Sequence, residues 1–281
     1  MSSFDSMASI HIPADWSDAA EYILSGDFQR ILVIGSADAG KSTFCRFLRE
    51  HALQAGRTVA LLDADVGQKM LGPPACLTTA EPTRSRLLFV GTTNPILGWS
   101  RLVEGVRFLA DTTAADLLIA NTSGLLAGPG RRLKAAKITA LAPDLLVALG
   151  DDPKLDEIMR DYPGLSALRL TRSPEAKRKT NGERRASRRE AFQRYFTEAS
   201  VVEFEHHDLL SINAGSYPTG LLVGFPDGQG GDAGLGILAE PSSMGTVRIL
   251  TPVAPHLIRA ITPGSICIDQ NFADSPVQPA T

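Results

Sequence analysis

Gly35 and Gly40, with four residues between them and Lys41, Ser42 and Thr43 directly after, stand between the apolar run RILVIG and the helix-patterned run KSTFCRFLREHALQAG. The sequence GSADAGKST matches GxxxxGK[ST] in its required setting, a strand before it and an amphipathic helix after it. Glycines there let successive backbone N–H groups turn inward onto phosphate oxygens, and the helix N-terminus adds partial positive charge. Gly35, Ser36, Ala37, Asp38, Ala39, Gly40, Lys41, Ser42 and Thr43 are thus expected to cradle a nucleoside triphosphate. Lys41 would reach the outer phosphates, and Ser42, ahead of Thr43, would place its hydroxyl on Mg²⁺.

A phosphate loop needs a sheet behind it. The runs RILVIG, TVALLDAD, RLLFVG, DLLIANT, LLVALG and SALRL read as buried parallel strands, separated by stretches whose apolar residues recur every three or four, such as Leu102, Val106 and Leu109. Strand and helix in alternation predict an α/β fold, a P-loop NTPase doubly wound on a mainly parallel sheet. After about Ser200 the pattern changes to short runs punctuated by Gly and Pro, which predicts a small C-terminal β domain. The expected division is an N-terminal segment 1–28, a P-loop domain 29–200, a β domain 201–275 and a disordered tail 276–281, with the stretch ADSPVQPAT and the N-terminal MSSFDSMAS both reading as disordered.

With 281 residues and 43% hydrophobic content the chain can fill a core without disulfides. Cys45, Cys76 and Cys267 are odd in number and lack a CxxC pair, so reduced thiols are expected and neither a zinc site nor a disulfide framework. No signal peptide or membrane span is visible, which points to a cytoplasmic protein. His206 and His207 are adjacent and would face opposite sides of a strand, a chance pair and not a metal site. Net charge is −3, yet residues 169–194 hold ten Lys or Arg against three Glu, so this segment is +7 and the remainder −10. A basic element on an acidic body suits a polyanionic partner better than a small metabolite.

In TVALLDADVGQ, Asp63 and Asp65 fall on one side of an extended chain at the carboxyl end of a strand, where ligands of such sheets gather. One acid is expected beside Mg²⁺. The second suits a base that orients or deprotonates a hydroxyl attacking the γ-phosphate. DDPKLD stands where a guanine-reading [NT]KxD would be, so ATP is favoured over GTP. Trp16 is read as packed rather than as a base contact.

With these residues together, the chain resembles the P-loop polynucleotide 5′-hydroxyl kinases, the RNA kinases of tRNA splicing and rRNA processing and their archaeal and bacterial relatives. DADVGQ is similar to the family's DxDxGQ, which implies Asp65 as general base, Asp63 as a metal-side acid and Gln68 as a helper near metal and phosphates. NTSGLLAG resembles the clasp that grips the terminal nucleotide: Thr122 and Gly124 match, while Leu125 stands where many members stack a Trp. RSPEAKRKTNGERRASRREAFQRYF is similar to the Arg-rich lid, about 172–196, and implies that Arg184, with Lys179 or Arg178, reaches over the γ-phosphate. Phe192, Tyr195 and Phe196 would pack inward. The segment TNPILGWSRLVEG resembles one bordering the nucleic-acid groove, with Trp99 and Arg101 as candidates for contact or for packing. The resemblance implies ATP and Mg²⁺, a nucleic acid with a free 5′-hydroxyl, RNA or DNA, and an RNA-processing protein partner. A small-substrate kinase or ATPase, or a non-catalytic ATP-bound scaffold, is the alternative.

Overall fold

The computed structural model describes residues 11–205, 209, 217–243 and 245–277. In chain order the elements are α1 (Ala14–Ser25), β1 (Arg30–Gly35), α2 (Lys41–Gln54), β2 (Val59–Ala64), β3 (Cys76–Ala80), β4 (Ser85–Phe89), α3 (Trp99–Asp111), β5 (Leu117–Thr122), α4 (Pro129–Leu141), β6 (Leu145–Leu149), α5 (Pro153–Arg160), β7 (Ser166–Leu170), α6 (Asn181–Tyr195), β8 (Ser200–Glu205), β9 (Leu221–Pro226), β10 (Asp232–Ala239), β11 (Thr246–Thr251), β12 (Thr262–Ile268) and β13 (Asp274–Pro276). The MSSFDSMAS stretch and the His206–His207 pair lie outside the described residues.

Strand β1 shows why helices cover both faces. Ile31 and Val33 point to one side, where Trp16 and Ile23 of α1 and Phe44 and Leu48 of α2 close a core. Leu32 and Ile34 point to the other, against Leu102 and Val106 of α3, Leu133 of α4 and Leu155 of α5. A strand buried on both faces has no polar side, which is why these runs are continuously apolar.

The parallel core runs β2-β5-β1-β6-β7. The structure corrects two strand expectations. RLLFVG forms β4, antiparallel to β3, a strand whose sequence CLTTA carries no apolar run, and β3 in turn pairs antiparallel with β2. SALRL forms β7 at the sheet's edge, where most of its residues are solvent-accessible, because among the described residues no strand pairs with it on that side.

The C-terminal strands continue the same sheet. Strand β10 pairs with β4 at Asp232 opposite Leu87, and β9, β11, β12, β13 and β8 extend from there in antiparallel pairs. Asp274–Pro276, at the start of the stretch expected to be disordered, pairs with Ile266–Ile268 as β13. Phe192 and Phe196, from α6 and its C-cap, pack against Phe89, Leu222, Leu235 and Ile266, so the basic helix is rooted in the seam between the two halves of the sheet. Among the described residues no helix is long and apolar enough to cross a membrane.

Candidate active site

Above the carboxyl ends of β1, β2 and β5 lies a cleft of about 810 Å³. Its floor is the glycine-punctuated loop. Gly40, at φ +98°, caps α2, and Asp38 also holds a positive φ of 60°, so the loop wraps with its amides turned inward. Lys41 opens α2 and is only 7% exposed, with Nζ donating to Ser36 O at 2.7 Å. Burial pulls its ammonium below the ordinary lysine value, and the Asp65 carboxylate is the largest influence opposing that shift.

Asp65 lines the same cleft. Its Oδ1 accepts from the N–H groups of Gly67 at 2.9 Å and Gln68 at 3.0 Å, a local turn that fixes the carboxylate. Among the described residues no donor reaches its Oδ2. Gln68 also lines the cleft, and its Nε2 donates to Gly67 O and Arg184 O, so it touches the lid.

Asp63 has no exposed surface. Its Oδ1 accepts from Asp65 N and Asn121 Nδ2, its Oδ2 from Met70 N and Leu71 N, and Lys69 lies 3.2 Å away as its ion-pair partner. β2 ends at Ala64, so strand alternation does not run on to Asp65, and with these partners the Asp63 carboxylate organises the turn that follows β2 and does not reach the cleft. The group that does is Asn121, which registers with Asp63 across β2 and β5. Its Nδ2 bridges Asp63 and Ser42 Oγ, while its Oδ1 is buried with no hydrogen-bond partner among the described residues. Asn121 and Lys69 were missed by reading motifs. The only signal was a polar Asn next to the end of an otherwise apolar run, LLIA.

The clasp forms the next wall. Gly124 is required by proximity, since a Cβ there would come within 2.4 Å of Ala37 N and 2.5 Å of Ala37 Cα. Leu125 is 43% exposed and borders the cleft. Thr122 lines the cleft as well, but it is buried and its hydroxyl donates to Val33 O at 2.8 Å, tying β5 to β1. Ser123, just past the end of β5, also lines the cleft, and its Oγ is buried without a partner among the described residues.

The Arg-rich segment expected as a lid lies across this floor. Helix α6 begins with a capping box in which Thr180 and Glu183 satisfy each other's backbone donors. Arg184, Lys179 and Arg178 all line the cleft. Asp38 of the cradle accepts from Lys179 N at 2.9 Å and pairs with the Arg184 guanidinium, so the lid is tethered to the phosphate loop. At the root, Arg188 pairs with Asp274 at 2.9 Å, and Tyr195 Oη accepts from Leu235 N. Arg101 sits outside the cleft: its Nε donates to Phe89 O and its guanidinium lies 3.5 Å from Asp232, because the β4–β10 seam needs a counter-charge there. Trp99 packs beside the α3 core, and Trp16 is buried with its indole N–H on Thr171 O at 2.9 Å. Cys45 and Cys76 are buried free thiols, pushed up by desolvation.

The polyribonucleotide 5′-hydroxyl-kinase of Pyrococcus horikoshii is 34% identical over 212 residues, 71% of this chain and 58% of that protein. The one from Methanocaldococcus jannaschii is 31% identical over 194 residues, 64% of this chain and 54% of that protein, so the chain spans less than two thirds of these relatives. In fold, it superposes on Clp1p in the wild-type Clp1p–Pcf11p complex with TM-score 0.71, covering 90% of this chain and 78% of Clp1p at 14% identity. The family described as mRNA cleavage and polyadenylation factor CLP1 P-loop matches residues 35–198, more than half of the chain, and the protein belongs to that family.

Proposed function

We propose that the protein transfers the γ-phosphoryl group of ATP to the 5′-hydroxyl of a polynucleotide. The observation that carries this reading is that Lys41, Ser42, Asp65 and Arg184 all face one cleft, bordered by the clasp at Gly124 and Leu125. The names of the archaeal relatives support RNA as acceptor. The triphosphate lies on the loop amides, with Lys41 at its outer phosphates. The nucleoside follows into the adjoining groove of about 540 Å³ lined by Gly150, Asp151, Thr171 and Arg172.

Asp65 Oδ2 takes the proton of the 5′-hydroxyl as that oxygen bonds to the γ-phosphorus. The bond from that phosphorus to the bridging oxygen breaks, and ADP leaves with the electron pair. Arg184, with Lys179 beside it, offsets charge on the transferring group from above. A Mg²⁺ ion fits the donors present: Ser42 Oγ, the unpartnered Asn121 Oδ1 and the Gln68 side chain, with Asp63 one hydrogen bond behind. When bound it would neutralise charge on the β- and γ-phosphates. Leu125 gives the terminal base an apolar contact without the stacking of about 1–3 kcal/mol that an aromatic supplies. A scaffold that only held ATP would have no use for a carboxylate oxygen turned to the cleft.

The test is incubation with γ-labelled ATP and 5′-hydroxyl RNA and DNA oligonucleotides. Label is expected at the 5′ end with the parent protein and about a thousandfold less with Lys41→Ala or Asp65→Asn. Equal labelling of free nucleosides would replace this reading with a small-substrate kinase.

A further inference from the structure

The cleft uses Lys41, yet two more lysines lie sealed beneath it. Lys134 and Lys137 sit one turn apart on α4, at 1% and 0% exposure. Buried ammoniums are disfavoured, and an alkyl side chain would fill the same volume without loss of hydration, so their charge calls for an explanation. Each donates to one main-chain carbonyl. Lys137 Nζ reaches Ala64 O at 2.7 Å, the carbonyl immediately before Asp65, and Lys134 Nζ reaches Ser123 O within the clasp. Around them stand Asp63 and Asp65 at the end of β2, Lys69 in the loop that follows, and Lys41 from α2. Desolvation pulls Lys137 to about 8, against the attraction of Asp65 and Asp63; it pulls Lys134 well below its ordinary value, and Lys137 adds to that shift.

One carbonyl ends β2 and the other directly follows the end of β5, two points that must keep a fixed relation during transfer. We infer that Lys137 and Lys134 are positioning residues, acting through the Ala64 and Ser123 carbonyls, so that α4 serves as a rigid bar holding the acid at 65 and the clasp at a set separation. Three residues along a helix advance about 4.5 Å, and neither carbonyl can shift alone without leaving an ammonium buried and unpaired. The buried, unpartnered Ser123 Oγ marks the clasp side of the bar as the wall that meets the acceptor. The inference rests on the 5′-hydroxyl kinase reading. It assigns the two lysines different kinetic signatures: Lys137 serves the chemical step through Asp65, and Lys134 serves capture of the acceptor.

The experiment is steady-state phosphorylation of a 5′-hydroxyl oligoribonucleotide by the parent, Lys137→Met and Lys134→Met. Rates are normalised to the fraction that binds ATP, so that misfolded protein drops out, and thermal midpoints are measured alongside. Lys137→Met is expected to lower kcat about 10- to 100-fold with both KM values within about twofold of the parent. Lys134→Met is expected to raise the oligonucleotide KM about tenfold and leave the KM for ATP unchanged. Parent-like kinetics in both variants, or a parallel loss in kcat and both KM values, would overturn the inference. A parent that transfers no label sinks the kinase reading itself; a parent that transfers label beside variants indistinguishable from it sinks only the role of the lysines.

Discussion

The cradle and the lid face each other across one cleft, but they are held in place by opposite means. The cradle is fixed by backbone: Gly35 has Leu149 O where its Cβ would be, Gly124 abuts Ala37, and the strand ends beneath are buried on both sides. The lid is fixed by a few side chains. Among the described residues of α6 only Ala191 and Phe192 are buried, and the tip is tied by Asp38. On the proposed kinase reading, a triphosphate bound through main-chain amides needs an immobile receptor, whereas a cover over a reacting phosphate would open to admit a polynucleotide and then close. Root and tip therefore carry different work, the root stability and the tip ligand response.

The largest effect is expected at the root. Phe192→Ala removes a fully buried ring from the cluster joining α6, β4 and the C-terminal strands, and should cost about 3–5 kcal/mol in urea unfolding. A loss under 1 kcal/mol would mean that the root is not what anchors the lid. The seam beneath it carries a pH signature. Burial pushes the Asp232 carboxyl up to about 6, against the hydrogen bond from Phe89 N and the pull of Arg101. Because folding raises this group above its unfolded value, its contribution is fully present below pH ~4 and is lost as pH climbs through about 6, a change of up to about 3 kcal/mol. Asp232→Asn should flatten that slope between pH 4 and 7. A slope unchanged by the substitution would assign it to other groups.

What the sequence made legible follows the same division. The cradle could be read because GxxxxGK[ST] requires a strand before it and a helix after it, and Asp65 because a loop at a strand end exposes its acids. The lid could be read because seven surplus positive charges cluster in one segment. Strand β3 could not: Pro73, Pro74 and small polar residues around CLTTA hide its pairing, which tertiary contacts supply. Thr122 and Asp63 kept their motif positions, but their partners, Val33 O and the turn at Met70 and Leu71, are long-range or irregular contacts that spacing does not encode. Lys134 and Lys137 fit the pattern of a solvated helix face. Only the packing of α4 against α3 and β1 brings the two ammoniums onto the buried carbonyls of Ala64 and Ser123.

A smaller effect should appear where the cradle meets the clasp. Gly124→Ala places a Cβ against backbone atoms that cannot rotate away, at a cost of about 1–3 kcal/mol. Since the displaced group is the phosphate loop itself, the cost should appear as roughly 5- to 100-fold weaker ATP binding, with little change in affinity for a 5′-phosphorylated oligonucleotide. Equal weakening of both ligands would mean that clasp and cradle move as one body.

The smallest effect is expected at the tip, and it tests the division between root and tip most directly. Asp38 holds Lys179 N and the Arg184 guanidinium from a residue at φ 60°, a backbone state that Asn tolerates, so Asp38→Asn removes the charge without straining the loop. A partly exposed ion pair of this kind is worth about 0.2–1 kcal/mol, too little to alter global unfolding. It is enough to change how often the tip lifts. Trypsin should cut within residues 177–189 about two- to fivefold faster in the variant, and ATP should slow cleavage in both proteins because the γ-phosphate offers Arg184 a new counter-charge. Cleavage at the parent rate would leave the capping box at Thr180 and Glu183 as the element that orders the tip, and the lid would then be fixed along its whole length rather than hinged on its root.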